Sequence, residues 1–424
     1  MQLKYTWLPD SLPDNKNPLH VARAHGSHLI LTNGKPIYDA ISSWWCKPLG
    51  HCHPLVAKSI QTQLGLFEHH IVANAYNDII ETLSSQLINV FTEMDKVVYA
   101  SDGSSATEIA MKLSYEVRVL TNQPERNKFI ALTNAYHGET IFALSVCGIT
   151  GYKSTYQSLL PQNYFIEDIP YVNSRSDPIW SDCNFDENKF EQLLCKLSLE
   201  CTALIIEPVV QGAAGLKIIS RDFLCKLIKI AKNYDIHIIS DEIMVGLGRL
   251  GCYSVSKEIL DFEPEFVCFG KNLTAGAIPM SAVVVKKTIT EQFRIHKHNF
   301  THSHTHSCNA LGASVAVSYL DLLKTSVFLA DVISLEGKLL LMMQNFAKEF
   351  DFVANSRAIA SIAACNLNLS KDKIAAIFAI GIKNEIYLRP IGNVLYVMPP
   401  LYNLANELDE INDKLYKVLL AVQK

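Results

Sequence analysis

The sequence predicts an α/β fold: a large domain with a mostly parallel sheet covered by helices, followed by a smaller α+β domain. Three observations lead to it. From about residue 95, short apolar or β-branched runs alternate with segments of helical periodicity. Five of those runs end on polar residues suited to chemistry. After about residue 310, long amphipathic helices give way to strand-like pieces. The chain has 424 residues, more than one small core accommodates, and this supports two units of unequal size.

Residues 1–50 are rich in Pro, Asn and His, and close on the aromatic pair Trp44–Trp45. They read as an irregular arm contributing to the small domain and to a substrate channel. Residues 51–310 form the expected large domain. In it, Lys96–Ala100, Phe129–Leu132, Ala203–Ile206, Ile236–Ile239 and Phe266–Phe269 are the strand candidates. A polar insertion, roughly Pro161–Glu191, separates the second from the third. Phe223, Leu224, Leu227, Ile228 and Ala231 fall on one stripe of a helix over Asp222–Asn233. Residues 311–424 form the expected small domain. A long helix over Val327–Phe350 precedes strands at Glu385–Arg389 and Val394–Met398, and a last helix starts near Glu407.

Composition excludes several functions. Apolar residues make up 49% and charged residues 19%, with a net charge of −4 spread along the chain, so nothing points to nucleic acid or an anionic membrane. The uncharged stretch Asn272–Val285 is too short to span a bilayer. The start carries no apolar run behind a positive head, and eleven cysteines lie scattered without a CxxC pair. Both features fit a cytoplasmic protein with reduced thiols.

Ligands of open α/β sheets bind at the carboxyl ends of strands. The residues there are SDGSSATE, TNAYHGET, Glu207 with PVVQG, Asp241 with Glu242, and Lys271. Hydroxyls, an aromatic ring, acids and a lysine thus converge, as a site for an anionic, aromatic cofactor requires. Gly103, Ser104 and Ser105 open a helix with stripe Ala106, Ile109, Ala110, Leu113 and Val117. Its free N–H groups suit phosphate, and Ser105-x-x-Glu108 also reads as a capping box. Asp241 at the end of a buried strand needs a partner. That partner is a protonated pyridine nitrogen, the next helix, or Arg249. Lys271 forms an imine with an aldehyde if its surroundings lower its pKa, and is otherwise a surface lysine. His302, His304 and His306 would share a face on a strand and suit zinc, but no carboxylate or second cysteine accompanies them, and no metal is expected.

The order SDGSSATE, NAYHGET, IIEPVVQG, IISDEIMVGLGRLG, CFGKNLTAG resembles the class III, fold type I, pyridoxal-phosphate-dependent aminotransferases over nearly the whole chain. SSWWCKPLGHCHP and YLRPIGNVLYVMPPL are similar to those members that transfer an amino group from adenosylmethionine to 8-amino-7-oxononanoate in biotin synthesis. The resemblance implies that Lys271 holds pyridoxal 5'-phosphate, that Asp241 pairs with its pyridine nitrogen and that Tyr136 stacks on its ring. It also implies that Gly103 and Ser104 hold the phosphate and that Glu207 belongs to the cofactor site. Thr305 would reach the phosphate of a partner subunit, which requires a homodimer with shared active sites. Tyr5, Trp44 and Trp45 would line the substrate channel, with Tyr5 close to the reaction. Arg389 would bind the far carboxylate of the acceptor, a task suited to a guanidinium fork. Three positions depart from the pattern: Asp102 where Ser is frequent, His304 where Pro is frequent, and Ala360 near a common glycine. Other readings remain open: a class III enzyme acting on ornithine, 4-aminobutyrate or another ω-amine, an aminomutase or lyase, or a non-enzyme using the histidines.

Overall fold

The computed structural model describes residues 5–12 and 18–423, without the side chains of Ser326 and Val327. The N-terminal segment differs from the irregular arm expected. β1 (Val21–His25), β2 (His28–Leu31) and β3 (Pro36–Asp39) form an antiparallel meander. The outer strand carries no buried residue, so its sequence gives no alternation to read. What fixes the meander is distant: β3 pairs in parallel with a strand some 350 residues later.

The centre is a seven-stranded sheet. Its strands are β4 (Met94–Ala100), β5 (Lys128–Leu132), β6 (Tyr164–Ile166), β8 (Cys201–Ile206), β11 (His237–Asp241), β12 (Phe266–Phe269) and β13 (Ser281–Lys286), counting β7 (Tyr171–Val172), β9 (Val210–Gln211) and β10 (Lys217–Ile219) as a separate small sheet. The order is β4-β13-β12-β11-β8-β5-β6. β13 runs antiparallel to both its neighbours, and the other pairings are parallel. All five expected strands are present within a few residues. β6 and β13 are the additions, β6 from the polar insertion and β13 from the uncharged stretch after Lys271. β8 and β12 are buried at every position, as a sheet covered on both faces requires. The helix Gly103–Leu120 covers one face, and every residue of its expected stripe is buried. The same holds for Arg221–Asn233. The insertion carries β6, β7 and the start of the helix Glu187–Leu197.

β14 (Val353–Ile359), β15 (Ile362–Leu367) and β17 (Val394–Val397) form a further antiparallel sheet, and β16 (Ile386–Tyr387) is the partner of β3. The helix expected over Val327–Phe350 is two helices, Ser326–Ser334 and Glu336–Glu349, which meet at buried Leu335. Apolar periodicity continues through the break, so it is invisible locally. Glu336 anchors the second helix: its carboxylate accepts from Ala360 N at 2.9 Å and pairs with Arg175.

Ala360 stands in the two-residue turn between the paired Ile359 and Ile362. It is fully buried with φ +49. A positive φ at the first residue of such a turn favours glycine, and alanine is the smallest residue that carries the strain. Ala360→Val is expected to destabilise the protein by about 2 kcal/mol, because a β-branched residue fits this backbone worst. Ala360→Gly should change stability by less than about 1 kcal/mol, since relief of strain offsets the lost methyl and added chain entropy. Urea unfolding of both variants checks the contrast.

Candidate active site

The carboxyl ends of β4, β8, β11 and β12 open on a cavity of about 550 Å³. Gly103, Ser104, Tyr136, Glu207, Asp241 and Lys271 all contribute to its wall, as do Trp45 and Cys46. Six of the site residues expected from strand ends are therefore brought together.

Asp102 sits at the entrance to the helix Gly103–Leu120. Its carboxylate accepts from Ser105 N at 2.9 Å and from Ser105 Oγ at 2.7 Å. The cap is thus Asp102, which corrects the Ser105–Glu108 box; Glu108 instead accepts from Phe142 N at 3.2 Å and Ala143 N at 3.3 Å. An aspartate makes the better cap here because it stands outside the first turn, where its oxygens reach back to the free N–H groups. Ser104 Oγ accepts from Glu139 N at 3.3 Å. Gly138, with φ +128, lies so close to Ser104 that a Cβ would stand 2.3 Å from that oxygen.

Tyr136 is fixed at both ends. Its N–H donates to Glu207 Oε2 at 2.8 Å and its hydroxyl to Glu139 Oε1 at 2.9 Å. Glu207 takes a second N–H, from Gly212 at 3.0 Å. Burial pushes the Glu207 carboxyl up to about 7, and the Asp241 charge adds to that, while His137 and the two N–H groups oppose it.

Asp241 ends β11 and is held from two sides. His137 Nδ1 donates to its Oδ2 at 2.8 Å and Ile243 N to its Oδ1 at 3.1 Å. The expected alternative, an ion pair with Arg249, is absent. Arg249 is fully buried elsewhere, where it donates to Pro399 O at 2.8 Å and reaches Ser42 and Ser361. Burial brings its guanidinium down to about 10. His137 escaped the sequence reading, although it directly follows Tyr136. Its Nε2 is buried without a hydrogen-bond partner.

Lys271 opens a single 3-10 turn, Lys271–Thr274, with φ +38. A non-glycine residue with that backbone is strained, and such strain concentrates at functional sites. Burial lowers the amine's pKa from the usual lysine value, against the opposing charges of Asp241, Glu207 and Cys46. Its Nζ stands 5.4 Å from the Trp45 ring centroid. Gly276 follows with φ +65, so close to Cys46 that a Cβ would lie 2.3 Å from Cys46 O.

Trp45 is buried, and its Nε1 donates to Tyr396 Oη at 3.0 Å. Ser42, Ser43 and Trp45 all have positive φ. Asp39 holds this turn: fully buried, it accepts from Ser43 N at 2.7 Å and from His51 Nε2 at 2.9 Å. Asp39 and His51 were not singled out from sequence, because they meet only once the turn between them has formed.

The remaining expected residues lie outside the cavity wall. Trp44 is half exposed, with Arg389 stacked on it. Tyr5 is 89% exposed. Arg389 pairs with Asp10 at 2.6 Å. Thr305 is exposed, and its carbonyl accepts from His69 at 2.7 Å. The histidine segment is coil and turn rather than strand, so the shared face expected for His302, His304 and His306 does not form. His302 Nδ1 meets Lys112, and the His306 ring packs against His69.

A lysine made less basic by burial and a held carboxylate, beside a helix N-terminus, fit the chemistry of one enzyme family. The Aminotransferase class-III model matches residues 11–419. The chain belongs to the class-III aminotransferases.

Among relatives, the adenosylmethionine-8-amino-7-oxononanoate aminotransferase of Helicobacter pylori is 33% identical over 436 residues, covering 100% of this chain and 98% of that protein. The protein of the same name from Synechococcus elongatus is 31% identical, covering 96% of each. The crystal structure of the adenosylmethionine-8-amino-7-oxononanoate aminotransferase from Methanocaldococcus jannaschii superposes with a TM-score of 0.87 at 27% identity, covering 98% of this chain and 97% of that one. An amine transaminase from an uncultivated Pseudomonas species, in its PLP-bound form, shares the fold: TM-score 0.89 at 24% identity, covering 99% of both chains. In this class-III aminotransferase, the unexpected strand β13 has a clear task. It closes the sheet between β4 and β12, and so fixes the spacing between the helix carrying Gly103 and Ser104 and the turn carrying Lys271.

Proposed function

We propose that the protein transfers an amino group from adenosylmethionine to 8-amino-7-oxononanoate, forming 7,8-diaminononanoate, with pyridoxal 5'-phosphate as cofactor. The observation that carries this reading is the single cavity shared by Lys271, Asp241, Tyr136 and the N-terminus of the helix Gly103–Leu120. The substrates follow the names of the relatives, and YLRPIGNVLYVMPPL, which holds Arg389, supports the acceptor.

The residues fit the cofactor. Burial favours the free amine of Lys271, the form that attacks an aldehyde. Asp241, held by His137 and Ile243 N, keeps an acidic oxygen available for a pyridine N–H. The helix N-terminus and Ser104 supply donors for phosphate. Tyr136 offers a ring fixed at both ends, and Glu207 holds its backbone. When bound, the cofactor supplies an electron sink for the carbon that loses its proton. Lys271 would be the base that takes that proton and delivers it to the cofactor within the same half-reaction, and it would carry a proton the opposite way for the acceptor. Asp241 holds the proton at the ring nitrogen. Trp45 closes the wall beside Lys271 and limits water there. Arg389, near Trp44, takes the acceptor's carboxylate, and Trp44 with Tyr5 borders the approach to it.

Thr305 lies outside its own cavity wall, which supports the reading that it serves the phosphate of a partner subunit in a homodimer. No helix among the described residues is long and apolar enough to cross a membrane. All eleven cysteines are unpaired. Both fit work in the cytoplasm on small molecules.

The test is the absorption spectrum of the purified protein with added pyridoxal phosphate, followed by each substrate. A visible band should appear, bleach with adenosylmethionine and return with 8-amino-7-oxononanoate. Bleaching by ornithine or 4-aminobutyrate alone would retain the cofactor and reject the substrates. No band would reject the reading.

A further inference from the structure

Asp39 is a fully buried carboxylate that the proposed chemistry does not use. Burying an acid is costly unless hydrogen bonds compensate it, so the donors around it show what it holds. Its Oδ2 accepts from Ser43 N at 2.7 Å, from Ser43 Oγ at 3.2 Å and from His51 Nε2 at 2.9 Å. Its Oδ1 takes only a long contact from Ile41 N, at 3.4 Å. The carboxylate is spent mainly on Ser43.

Ser43 needs such a hold. Its backbone stands at φ +60 and ψ −98, with Ser42 at φ +51 before it and Trp45 at φ +63 after it. Residues in such sparsely populated conformations persist only where their surroundings over-determine them. Ser42 and Trp45 have other anchors: Ser42 Oγ donates to Met398 O at 2.7 Å, and Trp45 Nε1 to Tyr396 Oη at 3.0 Å. Ser43 is anchored on Asp39, and its backbone sets the course of the chain into Trp44.

Trp44 in turn meets Arg389, whose guanidinium carbon stands 4.4 Å from the ring centroid. Stacking fixes the plane of the fork and leaves its edge for a carboxylate. Strand pairing explains why residues so distant in sequence meet here. β3 and β16 run parallel, with Asp39 opposite Tyr387. Asp39 ends β3 and Tyr387 ends β16. One strand pair therefore delivers the clamped turn on one side and Arg389, just past β16, on the other.

We infer that Asp39 is a positioning residue for the acceptor's carboxylate. By holding Ser43 it fixes Trp44, and Trp44 fixes the plane of the Arg389 guanidinium. Asp39 acts this way only if Arg389 takes the acceptor's carboxylate, as proposed above.

Steady-state kinetics of the holoenzyme test it with Asp39→Asn, Asp39→Ala, Trp44→Ala, Arg389→Ala and the double variant of Asp39→Asn with Trp44→Ala. Asp39→Asn keeps the size but offers Ser43 a neutral oxygen, which accepts about half as strongly as a charged one. It should raise the KM for 8-amino-7-oxononanoate about threefold, and Asp39→Ala about tenfold, with kcat and the cofactor's absorption band nearly unchanged. The methyl ester of the acceptor has no anionic tail and should not respond to Asp39→Asn. Trp44→Ala should raise the acceptor's KM by itself, and Asp39→Asn should then add nothing, because the two act along one path. Additive effects, an unchanged acceptor KM in Asp39→Asn, or a loss confined to thermal stability each overturn the positioning role. Asp39→Asn decides alone if Asp39→Ala fails to fold. An acceptor KM unaffected by Arg389→Ala overturns instead the carboxylate assignment, and leaves Asp39 nothing to position.

Discussion

Lys271→Ala is expected to lower turnover by about four orders of magnitude while leaving the fold intact. On the proposed reading two functions are lost together, the amine that holds the cofactor and the base that moves the proton, and neither neighbour replaces them. Asp241 and Glu207 are acids fixed by hydrogen bonds to His137, Ile243 N, Tyr136 N and Gly212 N. Stability should not suffer. Burial lowers the Lys271 pKa, so the unfolded chain binds this proton more tightly than the folded one. Stability of the cofactor-free protein therefore rises with pH through the window that ends at the ordinary lysine value of 10.5. Below that window the buried ammonium is a fixed cost, and alanine removes it. Cofactor-free Lys271→Ala should melt no lower than cofactor-free wild type at neutral pH. A variant that keeps transamination, or loses it only by unfolding, contradicts the assignment.

The difference between what could be read from sequence and what could not has a physical cause. Asp241, Lys271 and Glu207 were legible because a strand end in an α/β sheet fixes direction: the side chain at or just past the carboxyl end faces the ligand side. Helix stripes were legible because periodicity is local. The features missed depend on partners far along the chain. Asp39 clamps Ser43 and His51, but the turn it shapes is completed by Ser42 donating to Met398 O. β3 owes its place to β16. Leu335 breaks a continuous apolar pattern because Glu336 is tied to Ala360 and Arg175. β13 was obscured for another reason: its apolar run lies inside the uncharged stretch Asn272–Val285, which reads as one long segment weighed against a bilayer span rather than as a strand. His137 was hidden by its neighbour, since Tyr136 offered the more obvious chemistry.

The departures from the family pattern also gain physical content. Asp102 performs the cap that a serine also performs, with two bonds to Ser105 in place of one. It adds a negative charge next to Gly103 and Ser104, the residues proposed to hold the phosphate, at an exposed position where solvent screens it. Ala360 retains a turn built for glycine. Neither change reaches the groups that handle protons.

Asp241→Asn should lower kcat about a hundredfold to a thousandfold, the range expected when a single preorganised electrostatic partner of the reacting system is lost. The aspartate is anchored for one geometry: His137 and Ile243 N occupy one site on each oxygen, and the residue lines the cavity with acceptor capacity to spare. Asparagine keeps the size but loses the charge, and its amide group cannot accept from both anchors and from a pyridine N–H. Since His137 Nδ1 and Ile243 N both donate, the asparagine NH2 must either face a donor or turn into the cavity, where it meets a nitrogen that needs an acceptor. His137→Gln should then produce a milder version of the same loss, because it frees Asp241 to rotate without removing its charge. The ordering decides between two views of this histidine. If Asp241→Asn is severe and His137→Gln intermediate, with its kcat loss accompanied by a shifted pH profile and little change in KM, His137 positions the carboxylate. If His137→Gln alters only thermal stability, the contact is packing and Asp241 is oriented by the strand alone.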